Sequence, residues 1–325
     1  MSELRYHPLI DDWIMIAASR QGRPQMPKDW CPFCPGSGKV PDQFDVLKYD
    51  NDFPALSQNA ETPDDALCGP LFRNAEAHGK CEVILYSPEH TVTLPELPVP
   101  HIRKLVDLWC DRFADISSDP KVKYVFIFEN RGAAVGVTMP HPHGQIYGYP
   151  WVPKKIELET ENCAKYHDKN GRCLICDMRA EEEKAGDRVV IKNDSFTVFL
   201  PYFCEYPYGV YVVSNAHKQY ITDLTEKERD DLAAILRETA GTLDSLFGFA
   251  FPYMMCMHQA PVNTDKDYSE NYHFHIEFFP PMRAADKIKY NASSETGVWA
   301  HCNPTSPEEK AEELRAAHER FMKGE

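Results

Sequence analysis

Five residues near the middle of the chain, His141-Pro142-His143-Gly144-Gln145, set two imidazoles and a primary amide at alternating positions. In an extended backbone successive side chains point to opposite faces, so His141, His143 and Gln145 share one surface while Pro142 and Gly144 face away. A neutral imidazole is a zinc ligand and also a nucleophile at phosphorus, and an amide can hold a phosphoryl oxygen without adding charge. The chemistry suited to these residues is group transfer at phosphorus through a histidine. A strand-like run, Tyr124-Val125-Phe126-Ile127-Phe128, precedes them, followed by small residues from Gly132 to Thr138 where a backbone could closely approach an anion.

Two further groups of residues are suited to a metal. Cys31-Pro32-Phe33-Cys34, followed by Pro-Gly-Ser-Gly, is a tight knuckle that can present two thiolates to one ion, and Cys173-Leu174-Ile175-Cys176 repeats it. After each pair, sixteen residues intervene before Asn51-Asp52 and Asn193-Asp194. A strand then leads to Ser87-Pro88-Glu89-His90 in one half and Ser214-Asn215-Ala216-His217 in the other. Leu94-Pro95-Glu96-Leu97 and Ile221-Thr222-Asp223-Leu224 follow at the same offset, and the halves end in His141-x-His143-x-Gln145 and His273-x-His275-x-Glu277. Landmarks in the same order at matched spacing indicate two copies of one unit.

The duplication assigns the ligands: Cys31, Cys34, His90 and His141 in the first copy, and Cys173, Cys176, His217 and His273 in the second. Each set of two sulfurs and two nitrogens is the complement of a structural zinc, with no position left open for water. A lone CxxC could be a redox pair, but the repeated pairing with histidines favours metal. The copies differ at one position that matters for chemistry. Glu277 would repel a phosphoryl oxygen where Gln145 would hold it, so the nucleophile is expected at His143 and the second copy is left to scaffolding or substrate contact.

The elements that must position these residues can be read from the apolar pattern. Arg5 to Ala18 reads as a short strand ending in a polar turn, in which Arg20 and Arg23 could fork onto a diphosphate or simply form solvated surface. Cys81–Tyr86, Gly209–Val213 and the apolar run Phe249–Met257 read as strands. Amphipathic helices are expected around Ile102, Leu105, Val106 and Trp109, and after a capping box formed by Thr225 and Glu228. At 325 residues with 43% apolar content the chain can fill two units of ordinary size. Eleven cysteines, no apolar run long enough to span a bilayer and a net charge of −15 point to a soluble, cytoplasmic protein that binds neither nucleic acid nor membranes.

In the order RQGRP, CPFC, NDFPAL, SPEH with TLPEL, FENRGAAVG, HPHGQ, ITDLT and FFPP, the chain resembles the galactose-1-phosphate uridylyltransferases, duplicated members of the histidine-triad superfamily. The resemblance runs from about Arg5 to about Pro281. It implies an α+β fold of two tandem histidine-triad-like units, 1–155 and 156–325, with largely antiparallel sheets and helices packed on one side. It also implies ping-pong exchange of UMP between UDP-glucose and galactose 1-phosphate through a covalent UMP-histidine on His143, assisted by Gln145 and Thr138.

By the same resemblance Arg20 and Arg23 lie near the phosphates, and Asn51, Phe53 and Asn130 contact the nucleotide. Lys287, Lys289, Tyr290 and Glu295 belong to a segment that reaches the hexose phosphate, often across a homodimer interface. Some members of the family build the second metal site from a glutamate and three histidines, which here would point to Glu159, His258 and the region of His273. This chain has Glu277 where such members place a histidine and has the Cys173 and Cys176 pair besides, so the repeat-related set is favoured for a second zinc, with iron as the other candidate metal. Two other functions fit part of the pattern. A nucleotide-sugar or dinucleoside-polyphosphate phosphorylase would use the same histidine with phosphate as acceptor; a non-enzymatic zinc-knuckle adaptor would explain the cysteines but not HPHGQ.

Overall fold

A computed structural model describes residues 2–22 and 30–324. From the N-terminus the first strands are β1 (Ser2–His7), β2 (Asp12–Ala17), β3 (Leu47–Asp50), β4 (Asn74–Glu76), β5 (Lys80–Leu85), β6 (Tyr124–Arg131) and β7 (His143–Tyr149). Then come β8 (Val189–Lys192), β9 (Phe196–Phe199), β10 (Val210–Ser214), β11 (Tyr253–His258), β12 (His275–Phe279), β13 (Met282–Ala284) and β14 (Lys287–Ile288). The helices are α1 (Val99–Ser117), α2 (Lys154–Asn170), α3 (Leu174–Ala185), α4 (Glu226–Phe247), α5 (Ser293–Val298) and α6 (Pro307–Lys323).

One sheet of nine strands runs through both copies in the order β3-β5-β7-β6-β11-β12-β10-β9-β8, antiparallel at every pairing. From the middle outward, β6-β7-β5-β3 and β11-β12-β10-β9 are the same sequence of elements. The duplicated units are therefore fused edge to edge along β6 and β11, which removes two strand edges that would otherwise be open to stray pairing. Across this seam Phe128 pairs with Cys256. Phe128 in turn pairs with Gln145, and Cys256 with Glu277. One lateral row, Gln145-Phe128-Cys256-Glu277, thus crosses the sheet, and with strands about 4.8 Å apart its ends lie roughly 14 Å from each other.

The two faces of the sheet are sorted by alternation. Val125, Ile127, Ile146, Val212 and Ile276 turn to one side and join a single buried cluster that draws on both copies and on α1, α4 and α6. The helices on this side are anchored by charge as well as by packing. Arg112 of α1 grips the buried Glu82 of β5 with two bonds of 2.7 and 2.8 Å, and α6 lies so close to α4 that a Cβ on Gly241 would sit 2.2 Å from the Phe321 ring. The expected one-sided packing describes α1, α4 and α6. Over the second copy's other face, α2 and α3 bring Cys163, Cys173 and Ile175 against Phe199 and Val213. Thr225 and Glu228 form the expected capping box at the start of α4.

Two local expectations are corrected. The N-terminal stretch is a hairpin of β1 and β2 rather than one strand, because Pro8 has no N–H for a ladder and Asp11 adopts φ 54°, closing the turn and setting Tyr6 edge-on to Trp13 at 5.3 Å. With β4 this hairpin forms a small sheet whose Leu4 packs with Cys81 and Tyr147 of the large one. The apolar run from Phe249 becomes strand only at Tyr253, immediately after Pro252.

Candidate active site and metal centres

The first set of cysteines and histidines converges as the spacing requires. Cys34 Sγ lies 3.3 Å from His90 Nδ1 and 3.6 Å from His141 Nδ1, and Cys31 Sγ lies 3.8 Å from His141 Nδ1. A tetrahedral zinc with bonds of about 2.3 Å to sulfur and 2.0 Å to nitrogen separates its ligands by about 3.5 Å, so these residues fit that ion. His141 is buried, and burial pushes its imidazolium down to about 4, keeping the ring neutral and able to ligate. Its Nε2–H donates to the Ser87 carbonyl at 2.8 Å, which turns Nδ1 toward the thiols.

The His141 carbonyl orients the next histidine in its turn. It accepts a hydrogen bond of 2.7 Å from His143 Nδ1, and because a carbonyl cannot donate, the hydrogen is on Nδ1, so that Nε2 is the nucleophilic nitrogen whenever the ring is neutral. Phe33, inside the knuckle, packs edge-on against His143 with centroids 5.9 Å apart. The knuckle therefore fixes the nucleophile candidate by two routes, through His141 and through Phe33. Sequence reading assigns Phe33 no role; its place between the two cysteines of the knuckle is the available signal.

Gln145 lies on the same face of β7, next to Val83 of β5 and Phe128 of β6. The Tyr147 hydroxyl donates to its Oε1 at 3.0 Å, which fixes that end of the amide as acceptor and leaves the N–H₂ end as donor. Between the two functional residues, Gly144 passes over Tyr86, where a Cβ would come within 2.4 Å of the Tyr86 hydroxyl oxygen. Tyr86 also donates its backbone N–H to the Pro142 carbonyl at 3.0 Å, so it supports this segment from below at two points.

The other expected substrate residues are distributed around this face. Asn130 is on β6, two residues beyond Phe128, and Thr138 is exposed on the loop that leads to His141. Asn51 follows β3 and uses its Oδ1 to accept the Phe53 N–H at 2.9 Å, leaving the amide N–H₂ as a donor; Phe53 is half-buried. Arg20 lies in the helical turn after β2, near enough to Cys81 to favour its thiolate against the effect of burial. Arg23 lies outside the described residues.

Comparison with known proteins agrees with this architecture over nearly the whole chain. Residues 1–153 match the family profile described as galactose-1-phosphate uridyl transferase, N-terminal domain, and residues 159–291 match its C-terminal domain. The chain belongs to this family. The galactose-1-phosphate uridylyltransferase of Thermotoga maritima is 40% identical over 316 residues, covering 97% of this chain and 98% of that protein. That of Rattus norvegicus is 32% identical, covering 97% and 88%. A solved structure described as uridylyltransferase superposes with a TM-score of 0.90 at 31% identity, covering 98% of this chain and 99% of that one. An ADP-glucose phosphorylase from Arabidopsis thaliana, 21% identical with a TM-score of 0.75 over 97% and 99%, shares the fold.

Within this uridylyltransferase family member the second copy keeps the frame of the first. Cys176 Sγ lies 3.4 Å from His217 Nδ1 and 3.2 Å from His273 Nδ1, and Cys173 groups with them, again fitting a tetrahedral ion. His273 Nε2 donates to Ser214 Oγ at 2.6 Å, and His275 Nδ1 donates to the His273 carbonyl at 3.0 Å, repeating the His141–His143 link. The surroundings of the second imidazole differ. Tyr211 stands against Glu277 where Val83 stands against Gln145, and its ring stacks on His275 at 5.6 Å. His275 and Glu277 are buried. Burial opposes the charge of Glu277, yet His258, His275 and Lys155 around it hold the carboxyl well below its usual range. An aromatic ring and a negative charge thus stand at the positions that Val83 and Gln145 hold in the first copy.

The tail residues are not brought to His143. Lys289 is buried, 3.4 Å from Glu295 and from Asn291, with its ammonium over the Tyr206 ring, and Tyr290 and Lys287 are exposed. No helix among the described residues is long and apolar enough to cross a membrane.

Proposed function

We propose that the chain exchanges UMP between UDP-glucose and galactose 1-phosphate by two in-line displacements at His143. In the first, His143 Nε2 attacks the α-phosphorus; the P–N bond forms as the P–O bond to glucose 1-phosphate breaks, and that product leaves with the bridging oxygen. In the second, a phosphate oxygen of galactose 1-phosphate attacks the same phosphorus, the P–N bond breaks, and UDP-galactose departs. Imidazole suits both steps because it is a good nucleophile and a good leaving group.

The observation that carries this reading is the 2.7 Å bond from His143 Nδ1 to the His141 carbonyl, since it sets the tautomer in which Nε2 of the neutral ring is the nucleophile and stabilises the ring's positive charge after attack. The Gln145 amide holds a non-bridging oxygen, Arg20, Arg23 and Thr138 assist at the phosphates, and Asn51, Phe53 and Asn130 contact the nucleotide. Each copy, 1–155 and 156–325, holds one structural metal: zinc on Cys31, Cys34, His90 and His141, and zinc or iron on Cys173, Cys176, His217 and His273. A homodimer in the cytoplasm, with Lys287, Lys289, Tyr290 and Glu295 reaching hexose phosphate in the partner's site, accounts for a tail directed away from His143 in its own chain.

The test is trapping. UDP-glucose alone should add a UMP mass to the peptide containing His143, and galactose 1-phosphate should discharge it. No adduct under turnover conditions refutes the mechanism, while discharge by inorganic phosphate in preference to the sugar phosphate would make the enzyme a phosphorylase.

A further inference from the structure

A third group of acid and imidazole side chains lies on the open face of the second copy, apart from both sulfur-containing sets. Glu159 of α2, His258 of β11 and His275 of β12 each bring a ligand atom within 4.8 Å of the others. Glu277 joins them, with Oε2 3.5 Å from His258 Nε2 and Oε1 3.5 Å from His275 Nε2. The family resemblance associates this region with a metal held by one glutamate and three histidines. Here the residues do not fit that arrangement, because a carboxylate replaces one imidazole and a cation from the chain itself is already seated on it.

The cation is Lys155. Its Nζ lies 2.7 Å from Glu277 Oε2 and 3.8 Å from Glu159 Oε1, and 5.0 Å from the centre of the Phe279 ring. Lys155 and Glu159 are one helical turn apart in the first turns of α2, so the helix presents both to β12 together. Lys155 lines a 260 Å³ pocket together with Glu159, Glu205, Tyr211, His275 and Glu277, and its side chain stays 54% exposed while that of Glu277 is 2% exposed. Glu159 is engaged as well: its Oε2 meets His258 Nδ1 at 3.0 Å and accepts the Tyr272 hydroxyl at 2.8 Å. An ammonium has three donors and no lone pair, so at this position it satisfies carboxylates and repels a metal ion.

We propose that the Lys155 ammonium takes the place of a metal in the Glu159, His258, His275 and Glu277 cluster, so that each chain carries two metal ions rather than three. An ion pair inside the chain then ties α2 to the sheet. The count of two rests on the reading of the sulfur-containing sets as metal sites, and the experiment separates the two claims.

Metal content per chain is measured by plasma mass spectrometry on the full-length protein, purified and then equilibrated with zinc(II) or iron(II). Wild type should hold two equivalents, Cys31→Ala and Cys173→Ala should each remove one, and His258→Ala should remove none. Lys155→Ala should gain a third equivalent, as should the double variant Lys155→Ala with Glu277→His. Three equivalents in wild type with one lost in His258→Ala overturns the proposal, as does a Lys155→Ala protein that stays at two under saturating metal. Loss of no metal in the cysteine variants would instead refute the reading of the sulfur sets, whatever Lys155 does.

Discussion

Replacing Gln145 by Glu would give the first copy the residue that the second already has, and its effect can be worked from the site. The side chain keeps its size, and its Oε1 can still accept the Tyr147 hydroxyl now at 3.0 Å, so fold and metal binding should be untouched. What changes is the face offered to phosphate. Loss of one preorganised donor costs about 3 kcal/mol in the transition state. Two unit charges about 4 Å apart repel by about 4 kcal/mol at an effective dielectric near 20, and about half of that survives at a half-exposed site. The sum, about 5 kcal/mol, corresponds to a fall of three to four orders of magnitude in the rate of uridylyl transfer to His143. Rapid-quench measurement of UMP-enzyme formation in a single turnover reads this step directly, with metal content and melting temperature as controls. A loss below tenfold, or a rise in KM with the single-turnover rate unchanged, would show that Gln145 does not meet the phosphoryl oxygen in the transition state.

Other perturbations test the support beneath the site. Gly144→Ala would place a Cβ 2.4 Å from the Tyr86 hydroxyl oxygen and 3.0 Å from the Phe128 carbonyl; overpacking of this kind costs about 1–3 kcal/mol, and Tyr86→Phe in the same chain should restore part of the stability and activity if that clash is the cause. Cys31→Ala should lower uridylyl transfer more than Cys173→Ala does, because only the first set is linked to His143, and equal activity losses at equal stability would contradict the link. Burial pushes the Glu129 carboxyl, which accepts from the Tyr86 and Tyr253 hydroxyls, up to about 7 from an ordinary 4.5. With the folded value raised, the stabilisation is complete below the unfolded pKa and disappears as pH rises through 7, a change of up to about 3 kcal/mol. Denaturation of wild type and Glu129→Gln from pH 4.5 to 8.5 should give curves whose difference shows this slope, and parallel curves would refute it.

The convergence of both sulfur-containing sets could be read from residue types and offsets, because the cysteines and histidines recur at matched spacing and together fit a tetrahedral ion. The same holds for His143 and Gln145, whose alternation places them on one face. The union of the two sheets was not readable. An antiparallel edge with the pattern of Tyr124 to Arg131 can accept many partners, and nothing local to β6 specifies β11. For the same reason Lys155 read as part of a charged segment between copies. Its partner Glu277 lies 122 residues on, and only the packing of α2 over β12 brings them together. The N-terminal hairpin was missed because two short strands joined by Pro8-Leu9-Ile10-Asp11 share the apolar content of one longer strand, and the Tyr6–Trp13 contact that distinguishes them is a cross-strand pair.

The shared sheet also shows what kind of divergence separates the two copies. Leu85 pairs with His143 as Val213 pairs with His275, and the cysteine–histidine clusters and the link from imidazole to carbonyl recur in both. The differences gather on the open face: Val83 against Tyr211, Gln145 against Glu277, and Asn130 against His258 at equivalent positions of β6 and β11. Each replaces a small or neutral group by a larger or ionisable one, and together they require a counterion, since a carboxylate as buried as Glu277 is strongly unfavourable unless paired. Lys155 supplies that charge from α2, a helix lying over the face that in the first copy borders His143 and Gln145. The two copies thus keep one frame of strand register, cysteine knuckle and imidazole-to-carbonyl link while differing in the side chains that this face presents.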